Sequence, residues 1–515
     1  MSRHRSNDTP SSFSAILTRR ELLAALGTCV GGSLFYGCAG VVSANHPNPV
    51  PAPSPAPAPA PPSPPPVTTS TQPVPSGPIT LSTVAVSSAV TANIPAFFAG
   101  LSYEKGALPF TFFSSSNTGL VALFRRLGAG VFRLGGSSVD KTFWNHAGPG
   151  LTPNEIAPAD IDRLAAFLTA TGWPILYGVN LARSTAAEAA DEVAYAVKSF
   201  GSLLAGIEIG NEPDLYPGTY FPANWSFADY LVLWKNFESA IRVQSPHAPL
   251  TGPVVAYNNT WFASFAQNQA KNLALLSRHY YRGDGHSPSS TIAEMLSYPD
   301  TNLQKVLQPV HAAANAAAVP FRVAETNSFY HGGAPGVSNA YASALWVIDH
   351  LFTMAQGGAV GVNLHGGGDG PGYTPIADHN SFVVEARPEY YGVLLFTLAG
   401  QGALLTTTIA AASLNTSAFT IKNSSTKLSI IIVNKDATQN LHFTAACPST
   451  VHSATLLELT GPSLHATSGL TIQGSPVHPD GSFNPKAPYT LSVSSDTFTG
   501  YVPAASAVLI TITLA

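Results

Sequence analysis

The chain has 515 residues, of which 45% are hydrophobic and only 10% are charged, and its formal net charge is −4. A soluble domain usually carries about 25% charged residues, so we expect a surface built largely from neutral polar side chains and backbone groups. The weakly acidic balance argues against a nucleic-acid binder and against a binder of highly sulfated polymers, because both partners need clustered Lys and Arg.

Residues 1–40 are predicted to be an export signal. Arg19 and Arg20 precede an apolar run that is shorter than the roughly 20 residues of a membrane-spanning helix. This arrangement resembles the twin-arginine signal of bacteria, and the alternative, an ordinary secretory signal, also predicts export. Cys38 ends a stretch that resembles a bacterial lipobox. We therefore expect a periplasmic, lipid-anchored or secreted bacterial protein, whose only membrane attachment would be a lipid on Cys38.

Residues 41–78 alternate Pro with Ala, Ser and Val. Such a composition favours an extended conformation and cannot bury enough apolar surface to fold, so this segment is predicted to be a semi-rigid linker. Beyond it the only cysteine is Cys447. No internal disulfide is therefore expected in the folded part of the chain.

Residues 93–401 alternate short, β-branched apolar runs with segments of helical periodicity. The helical segments include 158–171, 186–200, 227–243 and 388–400. The runs are 98–104, 131–136, 174–181, 207–213, 249–255, 275–281, 321–327 and 361–366. Eight strand–helix units predict a (β/α)8 barrel, whose strands are buried on both faces. A doubly wound open sheet is the alternative.

The composition changes after residue 401. Residues 402–515 are rich in Thr, Ser, Val and Ile, and apolar and polar residues alternate with a period of two. Repeated turn signals between these runs predict an accessory antiparallel β-sandwich. The run at 79–92 is similar and precedes the barrel. We therefore expect it to add an N-terminal strand to the same accessory domain.

Two of the eight runs carry a glutamate near their C-terminal ends that is a candidate for catalysis. Asn211-Glu212-Pro213 ends the fourth run, and Glu325 lies two residues before the end of the seventh. The C-terminal ends of barrel strands carry the chemistry of this fold, so the two carboxyl groups are expected to face each other across one mouth. A carboxyl pair that flanks one bond is what glycoside hydrolysis requires. The alternative for a lone glutamate, a loop carboxylate without a chemical role, loses weight because the two occur together.

These motifs, with the split accessory domain, resemble glycoside hydrolase family 79, the heparanase and β-glucuronidase family of the retaining (β/α)8 clan. The resemblance extends from about residue 79 to residue 515. It implies that Glu212 is the general acid/base and Glu325 the nucleophile, without any cofactor. The motif is specific for mechanism and much less specific for the sugar.

The resemblance also implies roles in substrate binding. Asn211 would bind the sugar 2-hydroxyl, Asp140 would bind other hydroxyls, and Tyr281, or less well Tyr280, would hydrogen-bond the nucleophile. The carboxylate of a uronic acid would be held by tyrosines and backbone N–H groups at Tyr330, His331, Gly332 and Tyr373. In this sequence His331 stands where heparanases have glycine, and Phe321 and Phe329 are expected in the core.

Two further charged residues are predicted to point into the barrel. Arg133 on the second strand and Glu208 on the fourth would either support the ionised nucleophile or form a structural ion pair. Glu104 ends the first strand and could line the cleft. His279 and His365 also lie at strand ends, but they lack the carboxylates of a typical zinc site, so we predict no metal.

The sequence thus predicts a retaining exo-β-glucuronidase that acts on a glucuronic-acid-containing glycan or glycoside. The alternatives are an exo-glycosidase for a neutral sugar, a heparanase-like endo-enzyme, and a non-catalytic glycan-binding protein. The sequence contains too few cations for the sulfated polymer of a heparanase. No oligomeric state follows from the sequence.

Overall fold

The computed structural model describes residues 70–515. The predicted export signal, Cys38 and residues 41–69 of the predicted linker lie outside the described residues. Between residues 70 and 515, no helix combines the length and the hydrophobicity that crossing a bilayer requires.

Eight parallel strands close into a barrel, as the alternating pattern predicts, and the open sheet is excluded. Before the barrel the chain forms two strands of a second sheet, β1 (Ser70–Thr71) and β2 (Ile79–Ile94). The next ten strands are β3 (Ala99–Glu104), β4 (Val131–Gly135), β5 (Phe143–Trp144), β6 (Glu155–Ile156), β7 (Ile175–Val179), β8 (Leu204–Ile209), β9 (Leu250–Val255), β10 (Leu273–Asp284), β11 (Phe321–Tyr330) and β12 (Val362–Gly366). Of these, β5 and β6 pair only with each other, and the other eight form the barrel.

Each barrel strand is followed by a helix, and one additional short helix, α6, precedes α7. The helices are α1 (Thr118–Arg126), α2 (Pro158–Thr171), α3 (Ala186–Phe200), α4 (Phe227–Gln244), α5 (Asn259–Gln269), α6 (Ile292–Met295), α7 (Thr301–Ala317), α8 (Ala342–Gln356) and α9 (Pro388–Leu398). The local sequence determines where several of these helices begin. At α3, Thr185 Oγ1 accepts from the N–H of Glu188 at 3.2 Å, and Glu188 Oε2 accepts from the N–H of Thr185 at 2.9 Å. This reciprocal capping explains why the helix begins where the sequence predicts.

The strands β10 and β11 are longer than the sequence pattern indicates. They stay paired beyond the rim of the barrel, where Gly283 lies opposite Phe329 and Asp284 lies opposite Tyr330. The apolar periodicity ends earlier because this extension is partly exposed on β10. The ribbon carries the turn after Tyr330 above the barrel mouth, and Phe329 and Phe321 are buried in the core as expected.

The C-terminal part forms one curled sheet with β1 and β2. After a small ribbon of β13 (Ile376–His379) and β14 (Phe382–Ala386), its strands are β15 (Gly402–Ala410), β16 (Thr416–Lys422), β17 (Lys427–Asn434), β18 (Asn440–Ala446), β19 (Val451–Thr460), β20 (Thr471–Ile472), β21 (Tyr489–Thr490), β22 (Ser492–Ser494), β23 (Thr497–Val502) and β24 (Ser506–Leu514). The sheet encloses its own hydrophobic core, separate from that of the barrel, and the core includes the free thiol of Cys447.

The accessory sheet is mixed, which corrects the prediction that it is antiparallel. The strand β2 lies between β15, which runs antiparallel to it, and β18, which runs parallel to it. The pair β1–β21 is also parallel. Hairpins force antiparallel pairing only between strands joined by a short turn, and β2 is separated from both neighbours by the whole barrel. Its direction is therefore free of that constraint.

Residues 70–78, which the sequence pattern assigns to the linker, contact this sheet. Gln72 donates to Glu458 Oε1 at 2.6 Å and to the carbonyl of Tyr501 at 2.8 Å, and it accepts from the N–H of Tyr501 at 2.8 Å. Gln72 therefore ties this segment to the accessory sheet, which the Pro-rich composition of the segment does not indicate. Barrel and sheet meet through a stacked Phe352–Phe419 pair, with ring centroids 4.2 Å apart.

Candidate active site

Glu212 lies three residues after the end of the fourth barrel strand, β8, and Glu325 lies in the middle of the long seventh strand, β11. A carboxylate oxygen of each lies within 4.8 Å of the other and of a ring nitrogen of His279. Both line a cavity of about 730 Å³ in the barrel mouth. We call it the catalytic cavity. The two carboxyl groups that were separated by 113 residues in the sequence therefore meet at one site.

The backbone after β8 is turned sharply so that Glu212 enters this cavity. Gly210 has a φ of +84°, and a Cβ there would lie 2.6 Å from the hydroxyl of Tyr216. Glu212 itself has a φ of +53°, a left-handed conformation that a residue with a side chain adopts at a cost of about 1–3 kcal/mol. Pro213 then starts a short 3-10 turn. The sharp turn, rather than the strand direction, aims the Glu212 carboxyl.

Asp140 is not among the residues that line the catalytic cavity, and its role in binding sugar hydroxyls stays a prediction. The side chain is buried and accepts from the N–H groups of Leu181 and Ala182 at 2.9 and 3.0 Å. It also accepts from the hydroxyl of Tyr216, which in turn accepts from the N–H of Asn211 at 3.1 Å. The 3-10 turn at 139–141 directs Asp140 inward. Asp140 therefore positions the strand-four turn.

Arg133 lies fully buried at the centre of the site. Its guanidinium donates to Glu208 Oε2 at 2.7 Å and to Glu325 Oε2 at 2.6 Å, so both contacts considered from the sequence are present. Its remaining contacts are with Ser102 Oγ at 3.2 Å, Asn211 Oδ1 at 2.9 Å and His279 Nε2 at 3.2 Å. Burial lowers the pKa of Arg133, but the two carboxylates outweigh burial and raise it. The guanidinium stays charged.

Glu325 is held as an anion. Its Oε1 accepts from the hydroxyl of Tyr281 at 2.8 Å, and its Oε2 accepts from Arg133. Burial alone would raise the pKa of the Glu325 carboxyl, but the surrounding cationic and hydrogen-bonding groups hold it well below its usual range. Tyr280, the other candidate partner, instead donates to Asp300 at 3.2 Å. An ionised, oriented carboxylate is what a nucleophile requires.

His279 contacts the other catalytic carboxyl group, a role that the sequence interpretation missed. Its Nδ1 lies 2.8 Å from Glu212 Oε1, and its Nε2 faces the guanidinium of Arg133. A guanidinium can only donate, so Nε2 accepts and the ring proton of the neutral tautomer is on Nδ1, from which it is donated to Glu212. His279 lies two residues before Tyr281 on the same strand face, so period-two alternation was the available signal.

Two groups of three side chains within residues 70–515 have the spacing to hold a metal ion. They are Glu212 with His279 and Glu325 in the catalytic cavity, and Asp284 with His286 and His331 at its exposed rim. In the first group every member already has a hydrogen-bond partner, and Arg133 supplies a cation beside it. The prediction that the protein uses no metal stays a prediction.

Tyr330, Gly332 and Tyr373 all line the catalytic cavity. The Tyr373 hydroxyl lies 3.4 Å from that of Tyr281, and the Tyr373 N–H donates to the carbonyl of Gly332 at 3.0 Å. Gly332 has a φ of +82°, a conformation that favours glycine, and without a side chain its backbone is accessible at the cavity wall. The predicted uronate-binding groups are therefore adjacent. His331 also lines the cavity, and its Nδ1 lies 2.9 Å from Asp284 Oδ1.

Glu104 and His365, at the ends of the first and eighth barrel strands, also line the cavity. Glu104 accepts from the N–H groups of Ser137 and Ser138 at 3.2 and 2.8 Å, and lies 3.6 Å from His365 Nε2. Burial raises the pKa of Glu104, but His365 and Ser138 outweigh it and lower the pKa. For His365 burial lowers the pKa, while Glu325 and Glu104 raise it above its usual value. The sequence interpretation had assigned neither residue a function.

No family model matches the chain. Over 258 residues it is 28% identical to a β-glucuronidase of Aspergillus niger, and over 236 residues it is 30% identical to a β-glucuronidase of Neurospora crassa. This chain is similar to β-glucuronidases. The two matches cover 44% and 39% of this chain and 47% and 41% of the relatives, so the chain spans just under half the length of the curated relatives it matches. A heparanase-like protein 3 of Arabidopsis thaliana is 25% identical over 272 residues, 48% of each chain.

Solved structures share the architecture. A 4-O-α-L-rhamnosyl-β-D-glucuronidase from Fusarium oxysporum superposes with a TM-score of 0.71 at 19% identity, covering 84% of this chain and all of that one. A family 51 α-L-arabinofuranosidase from Bifidobacterium longum superposes with a TM-score of 0.63 at 17% identity, covering 84% of this chain and 99% of that one. At these identities the likeness establishes the fold, a (β/α)8 barrel with an accessory β domain.

Proposed function

We propose that the protein is a retaining exo-β-glucuronidase of glycoside hydrolase family 79. One observation carries the proposal: Glu212 and Glu325 hold carboxylate oxygens within 4.8 Å of each other at the fourth and seventh barrel strands. Retaining glycosidases separate their two carboxyl groups by roughly 5–5.5 Å, whereas inverting enzymes leave about 6.5–9.5 Å for a water molecule. The similarity to β-glucuronidases supports the choice of sugar.

In the first step Glu325 attacks the anomeric carbon of the bound glucuronide. The bond between that carbon and the leaving oxygen breaks while a bond to a Glu325 oxygen forms, and Glu212 delivers its proton to the leaving oxygen. His279 donates to Glu212 Oε1, which leaves the other Glu212 oxygen to carry this proton. Arg133 and Tyr281 keep Glu325 ionised until it reacts.

In the second step a water molecule attacks the anomeric carbon of the glycosyl–Glu325 ester. Glu212, now ionised, takes the proton of this water, and Glu325 leaves as a carboxylate. The two inversions restore the original β configuration. Arg133 again stabilises the charge that returns to Glu325.

The substrate carboxylate would be bound by neutral donors. Tyr330, Tyr373 and the backbone at Gly332 lie together in the wall of the catalytic cavity. The N–H groups of Gly332 and Gly333 donate to no other group among the described residues. Neutral donors can bind a third carboxylate without adding a strong cation that would perturb the catalytic pair.

Activity on matched aryl glycosides tests the proposal. We expect the wild-type protein to cleave an aryl β-glucuronide in preference to the β-glucoside and the β-galactoside. Glu325→Gln and Glu212→Gln should each lower turnover by more than about a thousandfold, and Glu294→Gln, an exposed glutamate outside the cavity, should not. Near wild-type turnover in both catalytic variants would contradict the mechanism. A preference for a neutral sugar would contradict the assignment of a uronic acid as substrate.

The stereochemistry provides an independent test. Proton NMR of the first product should show the β anomer of glucuronic acid before mutarotation. Release of the α anomer would show inversion. Binding of glucuronides without any turnover would favour a glycan-binding protein, and cleavage inside an internally linked polymer would favour an endo-enzyme.

We also propose that the protein is exported and carries a lipid on Cys38. The support is the paired Arg19 and Arg20 before a short apolar run and the lipobox-like stretch that ends at Cys38. Mass spectrometry of the native mature N-terminus tests this proposal. A diacylglyceryl group on Cys38 would support the anchor, and a mature chain that begins elsewhere would refute it.

A further inference from the structure

Three side chains with metal-binding groups lie together at the rim of the catalytic cavity. Asp284 is the last residue of β10, His286 lies two residues after it, and His331 directly follows the end of β11. A carboxylate oxygen of Asp284 and a ring nitrogen of each histidine all lie within 4.8 Å of one another. We call this group the rim triad. Both histidines are exposed and Asp284 is half-buried, so an ion can reach the triad from solvent.

The backbone holds the three side chains of the rim triad close together. The N–H of Gly285 donates to the carbonyl of Tyr330 at 2.9 Å, which joins the end of β10 to the end of β11. A Cβ on Gly285 would lie 2.5 Å from the carbonyl oxygen of Gly333, so the turn after β11 lies directly against this segment. The N–H of His286 donates to Asp284 Oδ1 at 2.9 Å. The ligands therefore need little further ordering when an ion binds.

The spacing within the rim triad is close to that of a zinc site. His331 Nδ1 lies 2.9 Å from Asp284 Oδ1, and the rings of His331 and His286 stack with their centroids 4.8 Å apart. A tetrahedral zinc ion, with bonds of about 2.0–2.2 Å to nitrogen and oxygen, places its ligand atoms about 3.3–3.6 Å apart. Because both imidazole rings are exposed, side-chain rotation can bring the three atoms to this spacing.

A second histidine distinguishes the rim triad from ordinary surface ion pairs. Two other exposed Asp–His pairs occur between residues 70 and 515, His146 with Asp191 at 2.7 Å and His379 with Asp369 at 2.9 Å. Neither pair belongs to a group of three side chains with metal-binding spacing in this part of the chain. An Asp–His contact alone is therefore no sign of a metal site in this protein, and the third ligand is.

The ligand types favour one class of ion. Imidazole nitrogen suits zinc, nickel and copper, whereas magnesium and calcium prefer six or more oxygen ligands. Two imidazoles and one carboxylate supply three of the four positions around a tetrahedral zinc ion, and a water molecule can take the fourth. The rim triad thus selects a divalent transition metal over the abundant alkaline-earth cations.

We propose that the rim triad binds one divalent transition-metal ion of the zinc type, which joins the end of β10 to the turn after β11. This turn connects Tyr330 to Gly332, and both residues line the catalytic cavity. The bound ion restrains this part of the cavity wall. Neither Glu212 nor Glu325 belongs to the triad, so the proposal is independent of the proposed reaction and gives that reaction no metal.

Titration calorimetry with zinc on the purified, EDTA-treated full chain tests the proposal. We expect His286→Ala and His331→Gly each to lose one equivalent of bound zinc relative to the wild-type protein, or to bind it at least about tenfold more weakly. Both side chains are exposed, and glycine readily adopts the φ of +63° found at His331, so both variants should fold. Circular dichroism checks the fold, and magnesium in place of zinc should give no binding at this site.

His379→Ala is the matched control. His379 contacts an aspartate as His331 does, and its side chain is 62% exposed compared with 54% for His331. This variant should bind zinc as the wild-type protein does. Equal zinc binding by the wild-type protein and both rim variants would overturn the proposal, and so would an equal loss in His379→Ala.

Glu212→Gln separates the rim triad from the catalytic cavity, where Glu212, His279 and Glu325 also have metal-binding spacing. This variant should keep the equivalent of zinc that the rim variants lose. Loss of that equivalent in Glu212→Gln, with unchanged binding in the rim variants, would place the ion between the catalytic carboxyl groups and overturn the proposal.

Hydrogen exchange tests the restraint on the cavity wall. The N–H of Gly285 donates to the carbonyl of Tyr330, and the N–H of Tyr373 donates to the carbonyl of Gly332 at 3.0 Å. These amides exchange when the ribbon or the turn opens. Zinc should slow their exchange at least about threefold in the wild-type protein but not in His331→Gly. Unchanged exchange in the zinc-bound wild-type protein would overturn the proposed link between β10 and the turn.

Discussion

Two buried groups of charged residues lie in different parts of this protein, and they differ in how many carboxylates contact the cation. At the barrel mouth, Arg133 contacts the two carboxylates Glu208 and Glu325, and Glu325 lines the catalytic cavity. Where barrel and accessory sheet meet, Lys435 contacts Asp349 at 2.6 Å and Ser417 at 3.1 Å, with its ammonium 4.7 Å from the ring centroid of Tyr298. None of the residues of the second group lines the catalytic cavity.

The difference shows that burial of a charge pair does not by itself indicate function. At the mouth two carboxylates share one guanidinium, and Glu208 Oε1 has no hydrogen-bond partner within residues 70–515. Arg133 stabilises the negative charge of Glu325, but it shares its donors with Glu208. The Glu325 carboxylate therefore stays available to react. At the interface one lysine meets one aspartate, so the pair has only a structural consequence.

The largest effect is expected from Arg133→Met. The change leaves Glu208 and Glu325 buried without their cation, which should destabilise the fold by about 3–5 kcal/mol and lower kcat more than about a thousandfold. Urea unfolding and turnover of an aryl β-glucuronide measure the two effects. Arg133→Lys, which keeps the charge but not the five donors, should recover part of the stability and little of the activity.

Lys435→Met should lower the free energy of unfolding by a similar amount, about 3–5 kcal/mol, because Asp349 is left buried and unpaired. Turnover per folded molecule should not change. Lys435→Met combined with Asp349→Leu should recover much of the stability, since the unpaired charge is gone. A tenfold fall in kcat below the unfolding transition would contradict the separation between the two ion pairs.

A smaller effect on activity is expected from His279→Phe, which keeps a planar ring but has no donor. Loss of the donor to Glu212 should lower kcat about a hundredfold on a glucuronide with a poor leaving group. The loss should be smaller for 4-nitrophenol, which needs little protonation on departure. Rates across a series of phenols measure this dependence, and an equal loss for all of them would show that His279 does not act through Glu212.

The smallest effect is expected from Tyr281→Phe, which removes one hydrogen bond to Glu325 and should lower kcat/KM about tenfold. That hydrogen bond favours the ionised carboxyl, so its loss raises the pKa of Glu325. The acidic limb of the pH profile should therefore move to higher pH than in the wild-type protein. An unshifted limb would mean that Tyr281 only positions the carboxylate.

The barrel and the catalytic pair were predictable because each rests on local signals. Strands buried on both faces are continuous apolar runs, and Glu212 and Glu325 lie near the C-terminal ends of two such runs. The boundaries of α2 and α3 were also accessible, because a proline at the helix start and a capping box are local features.

The features that could not be predicted depend on contacts between residues that are far apart in the sequence. Asp140 lies four residues after the second run, 131–136, but a 3-10 turn buries it. The contact between Glu104 and His365 joins the first and last barrel strands, which become neighbours only when the barrel closes. A second cavity of about 650 Å³ beside the catalytic cavity is bounded by residues of the loops after the first, seventh and eighth strands, and no periodicity within these loops indicates it.

The position of β2 between β15 and β18 has a consequence for synthesis of the chain. Thr91 in β2 donates to the carbonyl of Leu404 in β15, a residue 313 positions later. At about 5–20 residues per second, β2 therefore leaves the ribosome roughly 15–60 s before that partner exists. During this interval it is an unpaired strand with alternating apolar residues, a form prone to mispairing. The accessory sheet is thus the last part of the molecule that can form. When it is complete, β2 and β15, which flank the barrel segment in the sequence, are paired with each other.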